Sequence, residues 1–250
     1  CITEVLAENF DFGDYALFVN QFNGEYLYEM EKIIGDVYVN SDFGVSGPIG
    51  TLGPIFDGEV SSTLPPYYGG SLSEQNYSGF LGGTDFSADD IGMPEFAATP
   101  PNPCLNLDNL NPKGYFLKFQ PNGDVHIYQT IRDTLPNGKP KNPIHVITAA
   151  DMVNLYGGVV YTTGSSSQNS NTSLHIEGTV NGQYTVMSPN KIYVTDHLML
   201  DPDPRTDPNS TSMLAVMTES DFVVDWRYGI NSGTRDSIFI MSSIFTGGTV

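Results

Sequence analysis

Charge is scarce in this chain. Asp, Glu, Lys and Arg make up 16% of its 250 residues, and the shortage is on the basic side: 10 Lys and Arg against 29 Asp and Glu, a formal net charge of −19. A surface so poor in cations repels phosphate backbones and anionic lipid, which argues against nucleic acid and acidic membrane surfaces as partners. Helix surfaces draw on Glu, Lys and Arg. A chain whose polarity comes from Ser, Thr, Asn, Gly and Tyr is better suited to sheet faces and turns. The acidic coat fits a solvated extracellular or cell-surface protein. Cysteine is nearly absent: Cys1 and Cys104 are the two. No C-x-x-C spacing or Cys/His cluster exists, so zinc sites are excluded and one disulfide is open, within a chain or between chains. No apolar run is long enough for a transmembrane helix, and no signal peptide is visible. A chain that opens on Cys1 without Met is expected to be a processed product or a fragment, and a mature lipoprotein begins the same way.

Catalytic signatures are missing as well. The chain has no H-E-x-x-H, no G-x-S-x-G, no phosphate-binding G-x-x-x-x-G-K-[ST] and no G-x-G-x-x-G opening a helix. His126, His145, His175 and His197 lie in or beside alternating segments, none with a second ligand at metal spacing. Asp196 and His197 are neighbours, and neighbours on a strand point to opposite faces. No catalytic residue is assigned. Three sequons, beginning at Asn76, Asn171 and Asn209, fall in turn-like segments and are candidate glycosylation sites.

What is present is apolar material and a repeated corner. Hydrophobic residues are 39% of the chain, enough for a substantial core. "GDVYVN" from Gly35 returns as "GEVSST" from Gly58, "GDVHIY" from Gly123 and "GVVYTT" from Gly158. Each is a glycine followed by a short β-prone run. Residues 1–34 predict a helical capping segment, because Val5, Leu6, Ala7 and Phe10, then Tyr15, Phe18, Val19 and Phe22, recur at helical spacing. Residues 35–250 predict a β domain, with a turn-rich excursion at about 64–112 whose Pro and Gly content excludes a central strand. "YFLKFQPNGDVHIYQTI" predicts a hairpin around Pro121–Asp124, and "NPIHVITAADM" a strand with a short helical turn. The fold class is mainly β. A single-stranded parallel β-solenoid explains the glycine corners and the inward Val37, Val39, Ile176, Val180, Tyr184, Val186, Ile192 and Val194 as one stacked column. An antiparallel β-sandwich is the alternative.

Two groups of carboxylates merit attention as hard-cation sites. "LDPDPRTDPNSTS" places Asp201 and Asp203 beside Arg205 on an extended, proline-stiffened segment, and "DFSADD" places Asp85, Asp89 and Asp90 among oxygen-rich neighbours. Calcium is the ion such oxygen donors would take. The aromatic residues, 14 Tyr and 14 Phe with one Trp, are explained mostly by core packing. Tyr67, Tyr68, Tyr115, Phe116, Trp226 and Tyr228 are the positions where sugar stacking would occur.

The segments "GDVYVNSDFGVSGPIGTLGPIFDGEVSST" and "GGVVYTTG…SLHIEGTVNGQYTVMSPNKIYVTDHLML…SMLAVMTESDFVVDW" resemble a bacterial envelope family of β-rich proteins. Members of that family carry a pilus-assembly, minor-pilin-like N-terminal helix. The resemblance spans roughly Tyr15 to Asp225 and leaves the 64–112 excursion mostly unmatched. It implies an extracytoplasmic, non-catalytic protein with a solenoid-like body. Tyr38-Val39-Asn40-Ser41 departs from the family's His-Thr-Asn-Gly, and the family's membrane-anchoring helix is expected to have been removed by processing or to lie in a longer product of which this chain is part.

Together these observations predict a non-enzymatic extracellular structural protein, a subunit of a cell-envelope appendage or filament. Its partners would be copies of itself or other envelope proteins; the β-prone tail "SIFIMSSIFTGGTV" is either available for strand addition or an internal strand. The alternative is a polysaccharide-binding or -cleaving β-helix protein that uses the Asp201–Arg205 loop. A calcium-dependent adhesin is a third option.

Overall fold

The computed structural model describes residues 15–21, 26–27, 32–48, 53–90, 100–110, 114–129, 142–162, 174–224 and 240–247. Their strands fall into four sheets. The largest has nine strands in the spatial order β10 (Leu105–Asn106), β14 (Val159–Tyr161), β16 (Gln183–Ser188), β18 (Met213–Thr218), β20 (Ser243–Thr246), β1 (Tyr15–Val19), β4 (Asp36–Val39), β7 (Val60–Ser62) and β9 (Thr84–Asp85). Every neighbouring pair in it is parallel. A six-stranded sheet runs β13 (His145–Ile147), β12 (Val125–Gln129), β11 (Tyr115–Phe119), β15 (Leu174–Val180), β17 (Ile192–Leu200), β19 (Phe222–Val224). Two smaller parallel sheets join β2 (Tyr26–Leu27), β5 (Gly44–Gly47) and β8 (Tyr67–Gly70), and β3 (Lys32–Ile34) with β6 (Ile55–Asp57). The protein is therefore mainly β with parallel sheets. Antiparallel pairing among the described strands is confined to β11–β12 and β12–β13.

The sequence builds these strands by simple alternation. In β16 and β18 every second residue is buried. Parallel registration then stacks like on like. Leu105, Val160, Val186, Val216, Ile244, Leu17, Val37 and Val60 follow one another as cross-strand partners along the inner side of the nine-stranded sheet, and all are buried. Burying each such side chain is worth about 1.5–3 kcal/mol, so this column is a main source of cohesion. Beside it Ser188, Thr218 and Thr246 stack as a buried polar ladder. The Thr218 hydroxyl donates to the Asn190 carbonyl and that of Thr246 to the Ser220 carbonyl, both at 2.7 Å. These hydroxyls close the corners where the chain leaves the sheet, satisfying carbonyls that would otherwise be orphaned.

Glycine holds the corners where the chain approaches the sheet. Gly35 and Gly158 directly precede β4 and β14, Gly58 lies two residues before β7, and all three sit against the backbone or side chain of a neighbouring segment. Gly123 is different: it lies in the turn of the β11–β12 hairpin, where its N–H donates to the Gln120 carbonyl at 2.8 Å. Gly178 is not the next-level counterpart of Gly158. It sits inside β15, packed against Phe119, while the chain next to Gly158 is at Gln183.

The strand order does not follow the chain. Residues 15–85 climb from β1 to β9, and β10 to β20 start at the opposite end of the sheet and climb back until β20 meets β1. The C-terminal strand is thus internal, paired with β18 on one side and β1 on the other. Of the two readings of this segment, a free tail and an internal strand, the second is the one present.

The helical reading of residues 1–34 is also corrected where the structure describes them. Tyr15–Val19, Tyr26–Leu27 and Lys32–Ile34 are strands, and residues 1–14 lie outside the described residues. The helical spacing misled because β1 is buried on both faces. Leu17 and Val19 point into the core, and Phe18 is equally buried on the other side. The α-helix among the described residues is α1 (Ala149–Tyr156), where the Thr148 hydroxyl caps the Asp151 N–H and Gly157 ends it in the left-handed conformation. The turn-rich 64–112 region contributes β8, β9 and β10, each at the end of its sheet. That is where glycine- and proline-rich strands are tolerated.

Candidate functional site

β15 is buried on both faces. Its inward residues Leu174, Ile176 and Val180 belong to the core, and its outward residues are His175 and Glu177. Parallel pairing sets Phe116 and Lys118 of β11 beside them, and the hairpin adds Tyr128 and His126. On the other flank the register with β17 slips. Ile176 pairs with Val194 but Gly178 with Leu198, so Glu177 alone faces Thr195, Asp196 and His197. This bulge breaks the alternation and buries Thr195 and Asp196 side by side. Bulges re-aim side chains in this way and are frequent beside functional sites.

The result is a compact polar group on the outer face of the six-stranded sheet. The Glu177 side chain is only 2% exposed; Lys118 Nζ lies 3.4 Å from its Oε1, and the Thr195 hydroxyl donates to its Oε2 at 3.0 Å. The ring of His175 stacks on Tyr193 with centroids 5.0 Å apart, and Phe116 packs on Tyr128 at 5.3 Å. Asp196 Oδ1 accepts the His197 backbone N–H at 2.6 Å. Burial, and then the Glu177 charge, push the Tyr128 phenol above its ordinary value. Chemically the group offers one carboxylate with an ammonium and a hydroxyl on it, framed by aromatic rings. A buried carboxylate stripped of its cation is costly. Lys118→Met is therefore expected to destabilise the protein by about 2 kcal/mol, the figure being reduced because the lysine is half exposed. Lys118→Met/Glu177→Gln is expected to recover more than half of that loss. Urea unfolding of the four proteins of the cycle measures it, and equal losses in the single and double variants would contradict the pairing.

The residues singled out in the sequence are placed elsewhere. Asp203 and Arg205 pair with each other on the surface, through the Asp203 carboxylate and both the backbone N–H and guanidinium of Arg205. Those hydrogen bonds hold the Asp203 carboxyl below the usual range. Asp201 is exposed and contributes its backbone carbonyl, which accepts from Ser212 at 2.7 Å. Asp85 accepts from the N–H and hydroxyl of Ser87, and the Asp89 carbonyl accepts from the Tyr38 hydroxyl, with Asp90 exposed beside it. Among the described residues no three of His, Cys, Asp and Glu come together as a group able to hold a metal ion. So Asp85, Asp89 and Asp90 are not gathered with a further ligand, and neither are Asp201 and Asp203. Cys104 has no disulfide, and burial pushes its thiol up; Cys1 lies outside the described residues, as do Asn171, Trp226 and Tyr228. Asn76 and Asn209 are exposed, and the Asn76 amide is engaged with Ser71 and Ser73. No helix among the described residues is long and apolar enough to cross a membrane.

The fold and this polar group define a mainly β protein built on parallel sheets. No protein-family model, curated protein or solved structure matches the chain.

Proposed function

We propose that the protein is a non-enzymatic structural subunit of an extracellular or cell-surface appendage, whose parallel sheets are the faces of a β-solenoid and which associates with copies of itself. The observation that carries this reading is the join in the nine-stranded sheet. β20 lies between β18 of its own half and β1 of the other, and the apolar column passes through that join without interruption. A stack that continues across two separate stretches of chain is a mechanical element whose cohesion depends on like rungs meeting. Its terminal strands β9 and β10 are two residues each, a length that blunts simple edge-to-edge addition. The similarity of the quoted segments to an envelope family points the same way. The test is negative-stain imaging and light scattering of the full chain over rising concentration. Ordered oligomers or fibres are expected, and a single monomeric species throughout would overturn the reading.

A second reading, a polysaccharide-binding or -cleaving protein, is favoured by the Glu177 group rather than by the Asp201–Arg205 loop. Lys118, His126, Tyr193 and Asp196 surround that carboxylate on one sheet face. Turnover of acidic glycans that vanishes in a folded Glu177→Gln variant would establish it over the structural role.

A further inference from the structure

We infer that two copies of this chain exchange their N-terminal halves, so that the β1–β20 join forms between molecules instead of within one. The inference rests on the self-association reading above and names its mechanism. Among the described strands, β1–β20 is the one pairing between residues 15–85 and residues 105–247. Each half otherwise carries its own ladders. The N-terminal half has β1–β4–β7–β9 and the two small sheets; the C-terminal half has β10–β14–β16–β18–β20 and the six-stranded sheet.

The join is apolar on both faces. Leu17 meets Ile244 inside, and outside Phe18 stacks on both Phe245 and Tyr38, with centroids 6.3 and 5.6 Å apart. On that outer face Tyr161, Met187, Met217, Phe245, Phe18 and Tyr38 follow one another in register. The covalent link between halves is residues 86–104, and its described ends lie at the two ends of this row. At one end the Ala88 N–H donates to the Ser62 carbonyl at 3.1 Å and Tyr38 donates to the Asp89 carbonyl. At the other, Pro103 lies against Gly157 and Cys104 is within electrostatic reach of Tyr161.

This geometry makes exchange nearly neutral in contact energy. The link has to span eight strand spacings, roughly 38 Å at about 4.8 Å each, and its extended reach is roughly 60 Å. It therefore closes the join within one molecule, or hands the N-terminal half to a neighbour. Every inner and outer contact of the join is re-formed in the exchanged state with the same residues, and only the route of the link differs. An exchanged pair carries the same formal charge of −19 per chain as any other association, but it is held by an apolar seam already fitted to its partner rather than by an acidic surface. Reciprocal exchange closes a dimer. One-way exchange leaves an unpaired half at each end and propagates a filament.

The experiment refolds the full chain from denaturant at concentrations from low micromolar to about 1 mM, the range that brackets the effective concentration of a tethered half. The oligomeric fraction is expected to rise from under about a tenth to over about a half across that range. In a Cys1→Ser/Cys104→Ser background, a chain carrying Leu17→Cys is co-refolded with one carrying Ile244→Cys. A disulfide linking the two chains is expected, since adjacent strands place Cα atoms within bridging distance. Because those core changes risk misfolding, a circular permutant provides an independent readout: residues 1 and 250 joined by a Gly/Ser segment, chain opened between Ala97 and Ala98. With the join made covalent and the link cut, it is expected to remain monomeric where the native chain assembles. Assembly of the permutant to the native extent would overturn exchange while leaving self-association standing. A native chain that is monomeric at every concentration would overturn both.

Discussion

Replacing Gly58 with valine is expected to lower stability by about 3 kcal/mol, seen as a fall in Tm of roughly 6–12 °C. The reason is space rather than conformation. Gly58 lies outside the left-handed region of φ, so its backbone accepts any residue. A Cβ there would overlap the carbonyl of Gly35 in the level on one side, while the backbone of Gly58 itself is what a Cβ on Gly82 would strike from the other. Gly35 in turn leaves only 2.9 Å to the Ala16 side chain. Gly35, Gly58 and Gly82 thus approach one another at one corner through their main chains, and a side chain in that column cannot be relieved by changing rotamer. Gly83 supplies the comparison. A Cβ on it meets nothing within 4 Å, but its φ of +119° is unfavourable for any other residue. Gly83→Ala is therefore expected to cost only about 1–2 kcal/mol of backbone strain. If thermal unfolding finds Gly58→Val no worse than Gly83→Ala, the close approach of levels at this corner is wrong.

That column shows how much the sequence disclosed. The recurring glycines and the alternation of Val37 and Val39, or of Tyr184 and Val186, are local signals, and the strands they predict are present. So are the hairpin at Asn122–Gly123 and the short helix after Thr148, each written in a few adjacent residues. Non-local features were not legible. Tyr15–Val19 looked helical because Phe18 is apolar on the outward face, and that residue is explained only by its partners Phe245 and Tyr38. The meeting of β20 with β1 depends on a path through the whole chain, so local sequence left the tail open between a free edge and an internal strand. The Glu177 group was missed for a related reason. The rule that strand neighbours face opposite ways separated Asp196 from its surroundings, and the bulge that suspends the rule exists only because β15 and β17 pair with shifted register. The available hint was "LHIEG", a strand whose second alternating set is His175 and Glu177, two ionisable side chains. The Ser and Thr corners after β16, β18 and β20 were likewise visible as residues, but not as a ladder until the strands were stacked.

Raising the pH above about 10 is expected to unfold the protein in one cooperative step, with tyrosinate absorbance and loss of β circular dichroism moving together. Tyr68, Tyr77, Tyr115, Tyr128, Tyr161 and Tyr184 all have phenols pushed above their ordinary value, burial being the first cause for each. The Asp108 charge adds to it at Tyr115 and Tyr161, and that of Asp124 at Tyr184. Tyr77, Tyr115 and Tyr184 also donate to the main-chain carbonyls of Pro54, Leu107 and Gly123, bonds that the phenolate cannot make. Below the unfolded phenol value both states are protonated and the stability is fully present. Above it the unfolded chain releases protons that the folded chain retains, so each fully buried phenol subtracts about 1.4 kcal/mol per pH unit until its own folded value is reached. Tyr115 and Tyr184, both buried, alone would remove about 3 kcal/mol per unit. That exhausts a stability of roughly 5–15 kcal/mol within a few units, sooner with the other four. Tyr115→Phe separates the two roles of that residue. It is expected to lower stability at neutral pH by about 1 kcal/mol through the lost hydrogen bond, yet to flatten the decline on the alkaline side because one suppressed ionisation is gone. Phenols that titrate smoothly near the free value while the circular dichroism holds would show that these phenols are not shielded from water as the fold requires.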